Sequence, residues 1–328
     1  MIFEGAELYN ISALEQCDDG MRMLRVPPGI RDALSEQGKK MSAVCAGAEI
    51  RFFLKGDKAI LRLSALEGSC TGRVQFYQGD FPGGCTGYMQ NLNGSPIIVH
   101  LPEKADWMQE ERKSYASSLI RILLPREEVH IQSVEGDIYP PGIEDKPSKR
   151  WLAYGSSITH GSIGAGIDGS FLFRAAAELR VDPLNLGFAG SAMLEPEMAD
   201  YIAGRKDWDF ATIELGTNAC GVLAADELRK RTVYFIRQVA SAGKPFGVID
   251  MLSMEENEAK NDYRSFVKNE MAQLGIRNAI YIDGRRLLKS RSELTADGIH
   301  PGGVGHERIA QRLVRIIREE SGEDWLYR

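Results

Sequence analysis

The sequence predicts two units. An all-β sandwich of jelly-roll type should occupy residues 1–145, and a doubly wound three-layer α/β/α sandwich on a five-stranded parallel sheet should occupy residues 146–328. Three observations predict this. Between about residues 46 and 135, short runs alternate apolar and polar side chains, the period of half-buried strands. From residue 151 onward, near-continuous apolar runs alternate with amphipathic segments, the pattern of a parallel sheet covered by helices on both faces. Between the two, residues 139–148 hold three prolines and a glycine, which cannot continue a central strand or a helix.

In the first unit, Leu61, Leu63 and Ala65 alternate with Arg62 and Ser64. Val74 and Phe76 alternate with Arg73, Gln75 and Tyr77, and Ile120, Ile122 and Leu124 keep the same step of two. Turn residues punctuate these runs at Gly56-Asp57, Gly79-Asp80, Pro82-Gly83-Gly84 and Asn93-Gly94. The first 45 residues are expected to add strands and loops to the same sandwich. In the second unit, strands are expected at 151–154, 184–187, 210–215, 246–251 and 279–282. Helices are expected at 171–180, 195–203, 225–242, 257–274 and 304–320. Right-handed crossovers then give the doubly wound arrangement, whose ligand sites collect at the carboxyl ends of the strands.

Composition narrows the class. At 328 residues, with about 150 residues per domain as a guide, two domains are expected. Hydrophobic residues make up 43% and charged residues 26%, the balance of a globular chain. The formal net charge of −6 gives no basic face for nucleic acid or anionic membrane. No apolar run approaches the roughly 18 residues of a membrane span. The N-terminal residues lack the basic and apolar regions of a signal peptide, so a cytoplasmic protein is expected, or a secreted one if a leader has been removed. Five scattered cysteines, Cys17, Cys45, Cys70, Cys85 and Cys220, form no CxxC and are expected as reduced thiols. No metal or cofactor is expected. His306 lies near His300 and Asp297, but no metal-ligand spacing accompanies it, so it reads as a helix residue.

Four segments carry chemistry. The first strand runs into Gly155-Ser156-Ser157-Ile158-Thr159-His160-Gly161. A serine there can be an exposed nucleophile, and it can equally belong to an ordinary strand-to-helix turn, where Ser and Gly serve as caps. The second strand ends in Asn185-Leu186-Gly187-Phe188-Ala189-Gly190-Ser191, and the third in Glu214-Leu215-Gly216-Thr217-Asn218-Ala219. Thr295-Ala296-Asp297-Gly298-Ile299-His300-Pro301 precedes the last helix. In a doubly wound sheet all four points converge on one edge.

Over residues 150–320 the chain resembles the SGNH, or GDSL-like, hydrolases. Gly155-Ser156-Ser157-Ile158-Thr159 is similar to the block around their nucleophile, Gly190 to their glycine block, Gly216-Thr217-Asn218 to their Gly-x-Asn block and Asp297-Gly298-Ile299-His300 to their late Asp-x-x-His. The resemblance implies the flavodoxin-like fold of that family and a serine esterase mechanism. Ser157 would be the nucleophile, His300 its general base and Asp297 the residue that orients the base. The backbone N–H groups of Ser157 and Gly190, with the Asn218 side-chain amide, would form the oxyanion hole. Two positions depart from the family pattern: Ser156 and Ala219 each stand where an aspartate is frequent.

The remaining features have blander readings. His160 reads as a loop or substrate-contact residue. The run 161–166 lacks the spacing of a nucleotide loop and reads as a flexible rim. Cys220 reads as a packed thiol near the site. Met251, Leu252 and Met254 fit an acyl or alcohol pocket and core packing equally well. Phe52, Phe53, Phe76, Tyr77, Phe81 and Tyr88 fit a strand core or a sugar-binding face. The resemblance points to hydrolysis of a small acyl ester, with an O-acetyl group on a carbohydrate as a candidate. Two alternatives stay open: an acyltransferase using the same acyl-serine, and a non-catalytic binding protein on an esterase fold. Oligomeric state is not legible.

Overall fold

The alternating runs pair into two antiparallel sheets in a computed structural model of the chain. It describes every residue except 66–71, 85, 86, 88, 93, 102–105, 112, 113, 165, 321–324 and 326–328. Cys70, Cys85, Tyr88, Asn93 and Ala165 lie outside the described residues. One sheet orders Ile2–Phe3, Ala6–Tyr9, Glu49–Leu54, Ile120–Leu123, Arg73–Gln78 and Phe81–Pro82, with Ile138–Tyr139 and Met89–Asn91 attached at its side. The other orders Ile97–His100, Lys58–Ala65, Val129–Glu135, Gly20–Leu24 and Ala13–Cys17. Ile50, Phe52, Phe76 and Ile122 of the first meet Leu61, Leu63, Val99 and Ile131 of the second in one core. Phe52 and Phe76 are therefore packing residues. Phe53 is buried beside Tyr115 and Leu119, and Phe81 stacks edge-on against Trp107.

The first 45 residues differ from expectation, because they hold two helices, Pro28–Ala33 and Glu36–Ala43, as well as strands. Pro28 takes the first helical position, where a missing N–H is harmless, and the Ser35 side chain caps the second helix by accepting from Gly38 N. Both helices are short, and their Pro and Gly residues mimic loop signals in the sequence.

Alternation in an antiparallel strand usually places the polar face in water. In Glu49–Leu54 and Ile120–Leu123 both faces are buried. The polar face, Glu49, Arg51 and Arg121, packs against the second unit. Arg51 grips Asp182 with two 2.7 Å bonds and donates to Glu49 at 2.8 Å. Arg121 donates twice to the same Glu49, and the Tyr115 hydroxyl donates to Asp182 at 2.8 Å. Burial alone would raise the Glu49 pKa, but the two guanidinium groups bring it down to about 2. The units thus meet through a paired, hydrogen-bonded charge network, the arrangement that makes buried charge tolerable.

The main elements of the second unit are β1 (Arg150–Gly155), α1 (Ser157–His160), α2 (Phe171–Leu179), β2 (Asp182–Gly187), α3 (Pro196–Gly204), β3 (Phe210–Glu214), α4 (Ala225–Ser241), β4 (Phe246–Ile249), α5 (Glu258–Leu274), β5 (Ala279–Ile282) and α6 (Gly303–Glu320), with a one-turn helix at Gly284–Leu287 and a 3-10 turn at Arg291–Glu293 before α6. The five strands are parallel in the order β2-β1-β3-β4-β5. Met198, Ile202, Phe235, Val239, Val267 and Met271 of α3, α4 and α5 cover one face. Phe171, Leu172, Leu179, Ile309, Leu313 and Ile317 of α2 and α6 cover the other. Because β2 and β3 flank β1 on opposite sides, the chain leaves them in diverging directions, and the crevice this opens lies at the carboxyl end of β1.

Candidate active site

The turn after β1 is shaped by a buried carboxylate that sequence reasoning missed. Glu214, the last residue of β3, is almost wholly buried. It accepts Ser156 N at 2.8 Å, Ser156 Oγ at 2.8 and 2.9 Å, and Thr159 Oγ1 at 2.7 Å. Ser156 Oγ also accepts from Ile158 N and so caps α1. These bonds give Ser156 and Thr159 structural work and leave Ser157, the first residue of α1, free of it. A side chain at Gly155 would collide with both Glu214 and Thr159, so the turn requires glycine there. The sequence hint of this role is a glutamate ending a largely apolar strand.

Ser157 Oγ lies 2.8 Å from His300 Nε2, and His300 Nδ1 lies 2.7 Å from Asp297 Oδ2. A carboxylate can only accept, so Nδ1 carries the proton and Nε2 is left to accept the serine hydroxyl. Asp297 Oδ1 also accepts Thr295 Oγ1, Ile299 N and His300 N at 2.8 to 2.9 Å. The bond to His300, followed by those backbone donors, holds the Asp297 carboxyl far below the usual carboxylate range. The Thr295 N–H donates to His300 O, and Leu294 bridges Pro301, closing residues 294–301 into a tight loop. Buried Glu293 ties this loop to α6 through two 2.8 Å bonds from Arg312.

The other two loops present donors. Ser157 N sits in the first turn of α1, where an N–H has no intrahelical acceptor. Gly190 follows β2 with φ of +68°, a left-handed conformation that favours glycine. Asn218 follows β3. Its Oδ1 accepts Ala192 N at 3.2 Å, which joins the two loops and leaves Nδ2 as the donor end. Gly216 also has positive φ, and a side chain there would run into Tyr263. The fold thus brings Ser157, Gly190, Asn218, Asp297 and His300 from four separate segments to one end of the sheet.

Other positions read from sequence fall elsewhere. His160 is not a loop residue: it is the last residue of α1, buried, with Nδ1 3.4 Å from Ser162 Oγ. The described residues of the run 161–166 are held rather than loose. Arg126 of the first unit donates to Gly161 O, Gly164 O and Gly166 O, and Gln75 accepts from Ile167 N. Met251 and Leu252 are core residues, which removes them from any acyl pocket. Cys220 is half-buried, and burial raises its thiol pKa. The exposed apolar residues on the site's own loops are instead Ile163, Val222 and Ile299. Cavities of about 420 and 480 Å³ lie at the junction of the units and include none of the residues assembled around Ser157.

His306 lies in α6 as expected, but it does more than pack. Its Nδ1 accepts Phe171 N and its Nε2 donates to Ser162 O, both at 3.2 Å, so the neutral tautomer ties α2 and the loop after Ser157 to α6. Burial lowers its pKa to about 4 and also holds that of His160 well below the usual histidine value. The folded pKa is depressed below the unfolded value of about 6.5, so the unfolded chain takes up the proton first. Stability is therefore complete above about pH 6.5 and falls as pH drops towards 4. At pH 5 the loss should be about 2 kcal/mol from His306 alone. Thermal unfolding between pH 7.5 and 4.5 checks this: His306→Gln should flatten the acid slope, and an unchanged slope would refute the assignment.

Comparison with known proteins places the fold and the family. Residues 148–318 match the GDSL-like lipase/acylhydrolase family. No curated protein matches the chain. Among solved structures, a salicylyl-acyltransferase from a tetracycline biosynthetic pathway aligns with a TM-score of 0.78 at 19% identity, covering 96% of this chain and 95% of that one. A family two carbohydrate esterase from Cellvibrio japonicus aligns at 0.66 and 13% identity over 99% and 97% of the two chains. Another from Clostridium thermocellum, in complex with cellohexaose, aligns at 0.61 and 15% over 85% and 94%. At these identities the likeness is one of fold, and it spans both units.

Proposed function

The chain belongs to the GDSL-like lipase/acylhydrolase family, and from that membership we propose that it is a serine esterase acting on a small acyl ester, with an O-acetyl group on a carbohydrate as the leading candidate substrate. The observation that carries the reading is His300 standing between Ser157 and Asp297 at 2.8 and 2.7 Å.

In the first half-reaction, Ser157 Oγ attacks the ester carbonyl carbon while His300 Nε2 takes the hydroxyl proton. The carbonyl oxygen becomes an oxyanion facing Ser157 N, Gly190 N and Asn218 Nδ2. Collapse breaks the bond to the alcohol oxygen, and His300 returns the proton to that oxygen. In the second half-reaction water takes the place of serine: His300 accepts its proton, the hydroxyl adds to the acyl carbon, and Ser157 Oγ leaves with the proton restored. Asp297 stabilises the imidazolium in both halves. Asn218→Ala should lower kcat by about 10²- to 10³-fold with little change in KM, because its amide works on charge that exists only in the transition state. Steady-state kinetics with p-nitrophenyl acetate measures this. A fall confined to KM would remove Asn218 from the oxyanion hole.

Two features bear on substrate class. Exposed Ile163, Val222 and Ile299 offer apolar contact on the loops that carry the site. The fold is shared across both units with proteins described as carbohydrate esterases, which supports a carbohydrate-linked ester. The alternative is acyl transfer through the same acyl-Ser157, and it requires a site that keeps water out. The side chains of His300 and Asp297 are 22% and 39% exposed, which favours hydrolysis. Incubation with O-acetylated xylo-oligosaccharides, with and without an added alcohol acceptor, decides between them. Free acetate alone supports the esterase, and an acetylated acceptor supports the transferase. Turnover of p-nitrophenyl acetate but of no acetylated saccharide would overturn the carbohydrate assignment.

A further inference from the structure

Arg25, which follows the strand Gly20–Leu24 of the first unit, has a wholly buried side chain. Among the described residues, no carboxylate pairs with its guanidinium. It donates instead to backbone carbonyls: Nη1 to Asn185 O at 3.0 Å, Nη2 to Gly187 O at 3.0 Å and Nη2 to Met41 O at 2.6 Å. It also lies 5.1 Å from the centre of the Phe188 ring. A buried cation without a counter-charge is expensive, so the contacts it makes indicate what it is for.

Those contacts lie on the edge of the parallel sheet. β2 is an edge strand. Asp182 N donates to Lys149 O and Phe188 N to Gly155 O, so the even-numbered residues of this strand bond towards β1. The carbonyls of Asn185 and Gly187 therefore point off the sheet, where no strand can satisfy them. Arg25 spans both, and Asn10 Nδ2 adds a second bond to Asn185 O at 3.0 Å. Gly187 is also where β2 touches the nucleophile helix: a side chain there would collide with the backbone of His160 and Thr159. Three residues further on is Gly190. The guanidinium thus fixes the one segment that touches α1 on one side and leads into the oxyanion loop on the other.

We propose that Arg25 is a positioning residue for the reaction, acting from the β-sandwich to hold the exit of β2 so that Ser157 and the Gly190 donor keep their mutual geometry. On this account the sandwich is part of the catalytic apparatus rather than a detachable accessory. The inference rests on the serine esterase reading above. A displacement well under 1 Å at Gly190 leaves ground-state binding almost untouched but misaligns donors for the oxyanion.

The test uses the full chain with Arg25→Lys and Arg25→Met, p-nitrophenyl acetate as substrate and phenylboronic acid as probe. The boronate adds to a serine oxygen as a tetrahedral anion and reports on the oxyanion hole. Lysine keeps the charge but cannot span two carbonyls, so it should restore only part of what methionine loses. For Arg25→Met, kcat should fall on the order of 10- to 100-fold with KM within about threefold of wild type, and the boronate inhibition constant should rise by a factor similar to the loss in kcat. If the methionine variant does not fold, Arg25→Lys carries the test, with the same direction and a smaller effect. Wild-type kcat and boronate affinity in Arg25→Lys, or a change confined to KM, would overturn the proposal while leaving the esterase intact. Wild-type protein that neither turns over the ester nor binds the boronate would instead overturn the esterase reading.

Discussion

Ser157→Ala is expected to remove ester turnover, lowering kcat by on the order of 10⁴-fold or more. The size follows from what the side chain does. Without Oγ no acyl-enzyme forms, and only the oxyanion donors remain to assist direct attack by water. The fold should be unaffected, because Ser157 Oγ bonds His300 and the capping bonds to Glu214 belong to Ser156 and Thr159. Kinetics with p-nitrophenyl acetate, run beside thermal melts, separates the two effects. Equal rates in variant and wild type would exclude Ser157 as nucleophile.

His300→Ala should cost nearly as much, about 10⁴-fold in kcat, because a serine hydroxyl is a weak nucleophile without a base. The two losses should not add. Once the base is missing the serine contributes almost nothing, so the double variant should be no slower than the slower single one, within a few-fold. Additive losses would mean that the two residues act independently, which their 2.8 Å contact contradicts. His300 sits on a loop closed by the Thr295 bond and anchored by Glu293, so truncating its ring should not displace neighbours. Unchanged melting of the variant would bear this out.

The main strands and helices of the second unit were legible because the apolar period is strong, and in α5 local capping chemistry marks both ends. Asn257 accepts from Lys260 N at the start of α5, and Gly275 closes it with φ of +57°. Ser157, Gly190 and Asn218 stand in motifs at strand ends and Asp297 and His300 in a motif before the last helix, and the fold brings those segments to one end of the sheet. What the sequence hid was long-range. Nothing local distinguishes Arg25 or Arg126 from any solvated arginine, yet both are spent on backbone carbonyls more than 30 residues away in the chain. Likewise, Glu49, Arg51 and Arg121 read as the wet face of a sandwich strand and are buried, because a second unit covers that face. Periodicity reports which residues share a face but not what that face meets. The helices Pro28–Ala33 and Glu36–Ala43 escaped for a different reason: they are too short to show a period.

On the proposed function, Ser157 is a nucleophile activated by His300. Stoichiometric labelling with a fluorophosphonate, mapped by peptide mass spectrometry, tests it most directly, since such probes react with an activated serine hydroxyl. One label per chain on Ser157 in the wild type, and none in His300→Ala, is the predicted result. A label on any other residue, or an active wild-type protein that takes no label, would contradict it.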